Sequence, residues 1–411
     1  MKFAFLIFKY FPYGGVQRDM LRIAEDCAKA GHTVTIYTGE WRGDLPTNAK
    51  LTNTKLTNSS LQVSILKSKG WSNHQRHQSL INAMQVAIKN SPVDLVVGFN
   101  RMAGLDVYYA ADPCFMARAY DEKNWLYRLT GRFRFFRACE NAVFGKDNHC
   151  KILLLTERDK AAFQHWYQTQ DDRFYLLPPN IPTEKFVGKN RLQCHTYVRE
   201  QFYLPLNANI ILTIGSAYLR KGVDRAMVAL ANLPETLKQN TWLIAVGEHE
   251  SASTFLEDAK KLGVLGHCIL AGGRADVADL MLGADVLAHP ARSELAGIVL
   301  IEAMTAGLPV LVTDVCGYAN HIARAGAGIV LPSPFSQAAL NAALHRMLSA
   351  PEASLQQVLE QQVQWQQGGI NYTQMMLKQS SPTIEADLLL EFAKNKNAKD
   401  KMPENMMKAV S

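Results

Sequence analysis

Apolar residues in this chain fall in short solid blocks, separated by longer stretches in which they recur every three or four positions. Phe3 to Phe8 is one such block, the pattern of a strand buried on both faces. Pro12-Tyr13-Gly14-Gly15 then predicts a turn. Val16 to Ala30 carries apolar residues at Met20, Ile23, Ala24 and Cys27 and stops at Gly31, which predicts a helix. The same alternation predicts strands at Thr33–Tyr37, Ser64–Leu66, Asp94–Gly98, Val107–Ala110, Lys151–Leu155 and Phe174–Leu177, and a helix at Leu80–Lys89. Glu40 to Leu61 is polar and irregular and reads as an extended loop. Strands alternating with helices imply a parallel sheet covered on both faces.

Pro178-Pro179-Asn180-Ile181-Pro182 interrupts the pattern and reads as a hinge. A second alternation follows, with strands expected at Ile210–Ile214, Leu243–Val246, Cys268–Leu270, Val286–His289, Val310–Val312 and Gly328–Leu331. The expected organisation is therefore α/β, with two doubly wound parallel-sheet domains facing each other across a cleft. The domains span residues 1–182 and 183–351. Residues 352–411 add helices that return to the first domain, with Trp365 and Tyr372 as anchors and a frayed polar tail from Lys394. Ligands in such sheets sit beyond the carboxyl ends of the strands.

The chemistry concentrates at such strand ends. Glu294 and Glu302 stand eight positions apart around Ala296-Gly297, with an apolar helical run from Ile298 to Met304. On a helix that separation is about 12 Å. The first N–H groups of the helix lie between the two carboxylates and suit a diphosphate. Carboxylates accept hydrogen bonds from sugar hydroxyls. Hydroxyl-bearing groups on both sides of a diphosphate describe a nucleotide-sugar; two solvated helix glutamates are the plain alternative. Gly215 to Gly222 follows a strand and contains Arg220 and Lys221, which suit the charge growing on a leaving diphosphate, or else form a basic turn. Arg274, after Gly272-Gly273, is placed to stack on a nucleobase or to remain an exposed loop residue. Gly14-Gly15 permits close backbone approach, or is simply a tight turn. His289 reads as a satisfied core histidine.

Composition narrows the classes. The formal charge is +7, from 44 basic and 37 acidic residues, which favours acidic partners. The seven cysteines show no metal-ligand spacing and read as reduced buried thiols. No Asp-x-Asp occurs, so no metal is expected at the diphosphate. No G-x-G-x-x-G occurs, which argues against a nicotinamide or flavin site. The N-terminal apolar run is too short for a secretory signal, and no stretch is long enough to span a bilayer. From Phe115 to Phe144 basic and aromatic residues interleave, among them Arg118, Lys123, Trp125, Arg128, Arg132, Arg134 and Arg137, against Asp121, Glu122 and Glu140. A basic amphipathic helix of this kind suits anionic membrane lipids; its alternative is a helix packing its aromatics into the first domain. No RNA-binding signature accompanies it, and no nucleic-acid partner is expected.

Taken together, the Glu294/Glu302 pair, the Phe8–Asp19 block, Val97–Met102 with Gly104–Tyr108, Arg220–Arg225 and Ala296–Leu300 resemble glycosyltransferase family 4, which has the GT-B fold. Within it the likeness is to the lipopolysaccharide core heptose α-1,3-glucosyltransferases, and it runs to about residue 350. The resemblance implies a retaining, metal-independent transfer of glucose from UDP-glucose to a lipid-anchored, heptosylated lipopolysaccharide core. It implies a cytoplasmic enzyme at the inner face of the inner membrane. It assigns donor contacts to Gly15, Arg220, Lys221, Arg274, Glu294, Ala296, Gly297, Ile298, Val299 and Glu302. Glu294 meets the hexose and Glu302 the ribose. Asp19 and Asp112 match acidic positions near the sugar, Asp112 where distant relatives carry a histidine; with Glu294 they form the expected catalytic set. The family pattern also has a Gly and then a phosphate-binding Arg after the prolines, where this chain has Asn180 and Glu184-Lys185, and Lys185 is the candidate replacement. Other UDP-sugars (N-acetylhexosamine or galactose), another acceptor, and a non-catalytic membrane scaffold are the competing readings.

Overall fold

The structure is a computed structural model that describes residues 1–400 apart from Tyr13, 47–48, 52–59, Glu122, 248–251, 350–354 and Ser380. The expected turn at Tyr13, the acid Glu122 and the tail beyond 400 thus lie outside or partly outside the described residues. The chain divides into two compact units, 1–178 with 381–411, and 179–380.

The first unit is built on eight parallel strands: β1 (Lys2–Leu6), β2 (Thr33–Thr38), β3 (Ala49–Leu51), β4 (Leu61–Ile65), β5 (Leu95–Gly98), β6 (Val107–Ala110), β7 (Lys151–Leu154) and β8 (Phe174–Leu176). Their order is β3-β4-β2-β1-β5-β6-β7-β8. Phe3 pairs with Val34 on one side and Leu95 on the other, so the solid apolar run of β1 lies at the sheet centre. The winding direction reverses between β1 and β5, and their carboxyl ends deliver Phe8 and Asn100; the Phe8 N–H donates to Asn100 Oδ1 at 2.7 Å.

The second unit carries β9 (Asn209–Ile214), β10 (Thr241–Val246), β11 (Cys268–Gly272), β12 (Val286–His289), β13 (Val310–Thr313) and β14 (Gly328–Leu331), all parallel, in the order β11-β10-β9-β12-β13-β14. Its reversal falls between β9 and β12. Apolar layers bury both faces of each sheet.

Several elements differ from the sequence reading, for local reasons. The helix expected at Leu80 begins at Asn73, because Ser72 and Gln75 form a reciprocal capping box. The extended loop before Leu61 contains β3, and the next strand starts at Leu61 rather than Ser64. The 115–144 segment is not one amphipathic helix. It is a helix at Phe115–Asp121, a 3-10 turn at Trp125–Leu129 and a helix at Gly131–Phe144. Asn124 and Thr130 break it, each side chain accepting the backbone N–H three residues on. The C-terminal stretch is two helices, Leu355–Gln379 in the second unit and Ile384–Asp400 in the first. Ala386, Leu389, Phe392 and Ala393 of the latter enter the first unit's core. Lys396 and Asn397, expected in the frayed tail, bind Asp106 and Asp94. Trp365 is buried, and Tyr372 Oη lies 2.9 Å from His321 Nδ1, both within the second unit.

Candidate functional site

At the switch point of the second sheet, β9 runs into Gly215 and the short helix Tyr218–Lys221. Gly222 ends that helix at φ +74°, and a Cβ there would collide with the carbonyl oxygen of Pro290. This close approach sets Arg220 and Lys221 beside the segment after β12. Lys221 Nζ contacts Glu294 Oε2, and Arg220 NH1 reaches the same oxygen at 3.1 Å. Burial pushes the Glu294 carboxyl upward, but neighbouring His289 and Lys221 outweigh it and hold it at about 2. Burial also holds the His289 imidazole below its usual value, so at neutral pH the positive charge here is that of Lys221 and Arg220. His289 is buried as a core histidine should be, yet its Nε2 has no hydrogen-bond partner and lies 3.8 Å from Glu294 Oε2. The expectation that it is satisfied is therefore corrected.

Gly297, at φ +86°, turns the chain between the glutamates and caps the Ile298–Thr305 helix. Ala296 precedes it, and Ile298 and Val299 bring the first N–H groups of that helix. Glu302 is buried one turn further on, with Lys185 Nζ 2.5 Å from its Oε1. Lys185 thus sits on the second glutamate, a pairing across 117 positions. Arg274 is clamped in two-pronged fashion by Asp276, at 2.7 and 2.6 Å, and stands 5.2 Å from the Phe202 ring centroid. Asp276 also accepts from Tyr197 Oη at 2.9 Å. Sequence reasoning missed both of these supports. Among the described residues, no group of three or more His, Cys, Asp and Glu is arranged to hold a metal.

In the first unit, Gly15 opens the Gly15–Lys29 helix, and a Cβ there would meet open space. Asp19 follows on the same helix and accepts from Tyr109 Oη at 2.9 Å. Burial pushes its carboxyl up, against the nearby Arg22. Asp112 lies elsewhere, on a cleft of about 530 Å³ at the carboxyl ends of β1, β5 and β6. Gly15 and Asp19 do not line that cleft. Arg118, Lys123 and Arg132, expected at a membrane, do line it. Arg128 instead lies over the Tyr120 ring at 3.6 Å, and Arg134 donates to Leu129 O at 3.1 Å. Arg137 is exposed on the Gly131–Phe144 helix. Beneath the cleft, Glu140 is fully buried. It accepts from Arg101 NH1 (2.5 Å), the N–H groups of Phe115 (2.7 Å) and Met116 (3.0 Å), and Tyr167 Oη (2.6 Å).

The family model for glycosyl transferases group 1 matches residues 197–365, which include both glutamates and the Arg220-Lys221 pair. Lipopolysaccharide glucosyltransferase WaaG of Escherichia coli (strain K12) is 44% identical over 346 residues, 84% of this chain and 89% of that protein. This chain belongs to the group 1 glycosyltransferases. The crystal structure of WaaG, a glycosyltransferase involved in lipopolysaccharide biosynthesis, matches this glycosyltransferase with a TM-score of 0.85 at 41% identity, over 94% of this chain and 99% of that one. That likeness gives it the GT-B fold of two Rossmann-like domains. The structure of Anabaena Alr3699/HepE with UDP-glucose has a TM-score of 0.68 at 16% identity over 96% and 100% of the chains, a likeness of fold.

Proposed function

We propose that this glycosyltransferase moves α-glucose, with retention, from UDP-glucose to a heptose of the lipopolysaccharide inner core. The observation that carries the reading is the Arg220–Lys221–Glu294 cluster at the switch point of the second sheet, in a chain 44% identical to a lipopolysaccharide glucosyltransferase. Arg220, Lys221 and the N–H groups opening the Ile298 helix stabilise the leaving diphosphate. Glu294, kept ionised far below neutral pH, accepts from the hexose hydroxyls; Glu302 accepts from the ribose, with Lys185 neutralising it. Arg274, fixed by Asp276, is assigned to the uracil. The acceptor hydroxyl attacks C1 from the face the diphosphate leaves, and a leaving phosphate oxygen takes its proton. Asp19 and Asp112 are assigned to the sugar side, in the first unit.

Calorimetric titration with UDP-glucose, UDP-galactose and a UDP-N-acetylhexosamine tests the donor. Heat selective for UDP-glucose is expected. Preference for another sugar replaces the donor but keeps the site, and no heat with any of them overturns the reading.

The acceptor's lipid anchor calls for work at a membrane surface. Among the described residues no helix is long and apolar enough to cross a bilayer. The Trp125–Leu129 turn, however, exposes Trp125 by 66%, Leu126 by 52% and Leu129 by 61%, with Arg134 bonded to the Leu129 carbonyl. We assign contact with anionic lipid on the inner-membrane face to this turn. Burying one such side chain stabilises by about 1.5–3 kcal/mol. Trp125→Ala with Leu126→Ala is therefore expected to weaken co-sedimentation with phosphatidylglycerol vesicles by at least about tenfold. Unchanged binding would remove the assignment.

A further inference from the structure

Three nitrogens converge on one oxygen of Glu294, and two of them bond it. Lys221 Nζ and Arg220 NH1 both donate to Oε2. His289 Nε2 faces the same oxygen from 3.8 Å and has no hydrogen-bond partner. Its ring, on a residue only 1% exposed, cannot turn to water instead, and a buried polar atom left unpaired costs stability. Glu294 itself is held in place. It forms an isolated parallel bridge with Cys316, and a Cβ at Gly297 would lie 3.3 Å from Glu294 Cγ. Backbone and stem are therefore fixed, while the carboxylate can turn at its end. Closing the gap to an ordinary N–H···O length of about 2.9 Å needs a movement of about 0.9 Å. Burial keeps the His289 imidazole below its usual value, so at neutral pH it is uncharged and has one N–H to give.

The unpaired nitrogen matters because the two paired ones have a second task. In the donor-site reading above, Arg220 and Lys221 meet the diphosphate, which carries more negative charge than a carboxylate. Contact with it weakens their hold on Oε2. Glu294, whose side chain is mostly buried, then loses the charges that offset its burial, and opening one side of such a pair is costly. We propose that His289 is a positioning residue that takes over Glu294 Oε2 as Lys221 and Arg220 turn to the diphosphate. The imidazole proton sits on Nε2 and is donated to Oε2, which leaves the other carboxylate oxygen for the hexose. In this role His289 acts through Glu294 and needs no contact with donor or acceptor. The inference rests on the donor-site reading and adds how the carboxylate is kept in place when its cations are drawn off.

The test uses the full chain and UDP, which carries the diphosphate but no hexose. In calorimetric titrations His289→Leu is expected to raise the Kd for UDP about tenfold, because Glu294 is stranded as its cations move. His289→Gln, whose amide nitrogen falls near the place of Nε2, is expected to recover binding to within about threefold of wild type. In a Glu294→Gln background, which has no charge to strand, His289→Leu is expected to shift the Kd by less than about twofold. A histidine that only fills the core would cost the same in both backgrounds. That result overturns the proposal, as does wild-type affinity for UDP in His289→Leu, or no UDP binding by the wild type. If His289→Leu does not fold, nitrogen NMR of isotope-labelled wild-type imidazole decides. The proton is expected on Nε2, with a hydrogen-bond shift on adding UDP; a proton resident on Nδ1 in the UDP complex overturns the proposal. Turnover of UDP-glucose with a heptosylated acceptor is read separately. Coupling between His289 and Glu294 without turnover would keep the hand-over and sink the transferase; turnover with UDP binding indifferent to His289 would do the reverse.

Discussion

Lys221→Ala is expected to lower kcat with UDP-glucose by about 10²–10³-fold, the usual cost of deleting one preorganised group that meets charge developing in the transition state. Lys221 stands where that effect is strongest, because its stem lies against Gly215 at the end of β9 and its ammonium is mostly buried. The variant also strands a carboxylate. Glu294 keeps its burial, which alone pushes the carboxyl up, and loses the nearest full charge opposing it. The pH dependence of stability follows. A carboxyl held at about 2 when folded, against 4.5 ordinarily, stabilises fully above the unfolded value, and that contribution disappears as pH falls through the folded one. It amounts to about 3 kcal/mol from the size of the displacement. Wild-type protein therefore loses this contribution between about pH 4.5 and 2, whereas Lys221→Ala has already lost the share that Lys221 supplies beside His289 and falls less steeply in acid. Urea titrations at pH 7 and pH 3 measure the difference. Equal acid sensitivity in the two proteins would show that Lys221 does not hold the carboxyl down, and an unchanged kcat would remove its role at the diphosphate.

The largest stability loss is expected at Glu140. Glu140→Leu leaves the Arg101 guanidinium, almost wholly buried, without its counter-charge. It also frees the Phe115 and Met116 N–H groups and Tyr167 Oη from their acceptor. Removing one partner of a buried pair costs about 3–5 kcal/mol. For a unit of this size that corresponds to a fall in Tm of about 6–20 °C. Burial and the adjacent carboxylate both push the Tyr167 phenol up, so in wild type it stays a neutral donor throughout the working range. Calorimetry should show the loss in the transition of the first unit. A Tm within 2 °C of wild type, set against the range above, would mean that the site relaxes around an unpaired guanidinium. Glu140→Gln, which keeps an acceptor but no charge, is expected to fall between the two.

The alternation of strands and helices was legible because solid apolar blocks and three-four spacing are local signals, and most strands fall within a residue or two of their expected ends. Glu294 and Glu302 were legible for the same reason, since one turn and one helix fix their separation. What supports them was not legible. Lys185 reaches Glu302, and Arg220 reaches Glu294 across 74 positions, and no local pattern encodes such pairings. Glu140 left a faint signal. It is the sole acid on the Gly131–Phe144 helix, in step with the buried Phe133, Val143 and Phe144, and an acid on an apolar face asks for a buried partner. Reading the basic residues of 115–144 as one surface hid this. The Asn124 and Thr130 caps, both visible in the sequence, divide that segment so that part of it lines a cleft and part faces solvent.

The Ile384–Asp400 helix belongs to the first unit although the whole of the second precedes it in the chain. It contributes Leu389 and Phe392 to the core beside β1, and Glu385 to a two-pronged pair with Arg22 at 3.2 and 2.6 Å. As the polypeptide leaves the ribosome, residues 179–380 are therefore complete while the first core still lacks a wall. Domains ordinarily finish in the order they are made. Here the order is inverted, and the N-terminal sheet must wait, with apolar surface uncovered, for a segment translated after its neighbour.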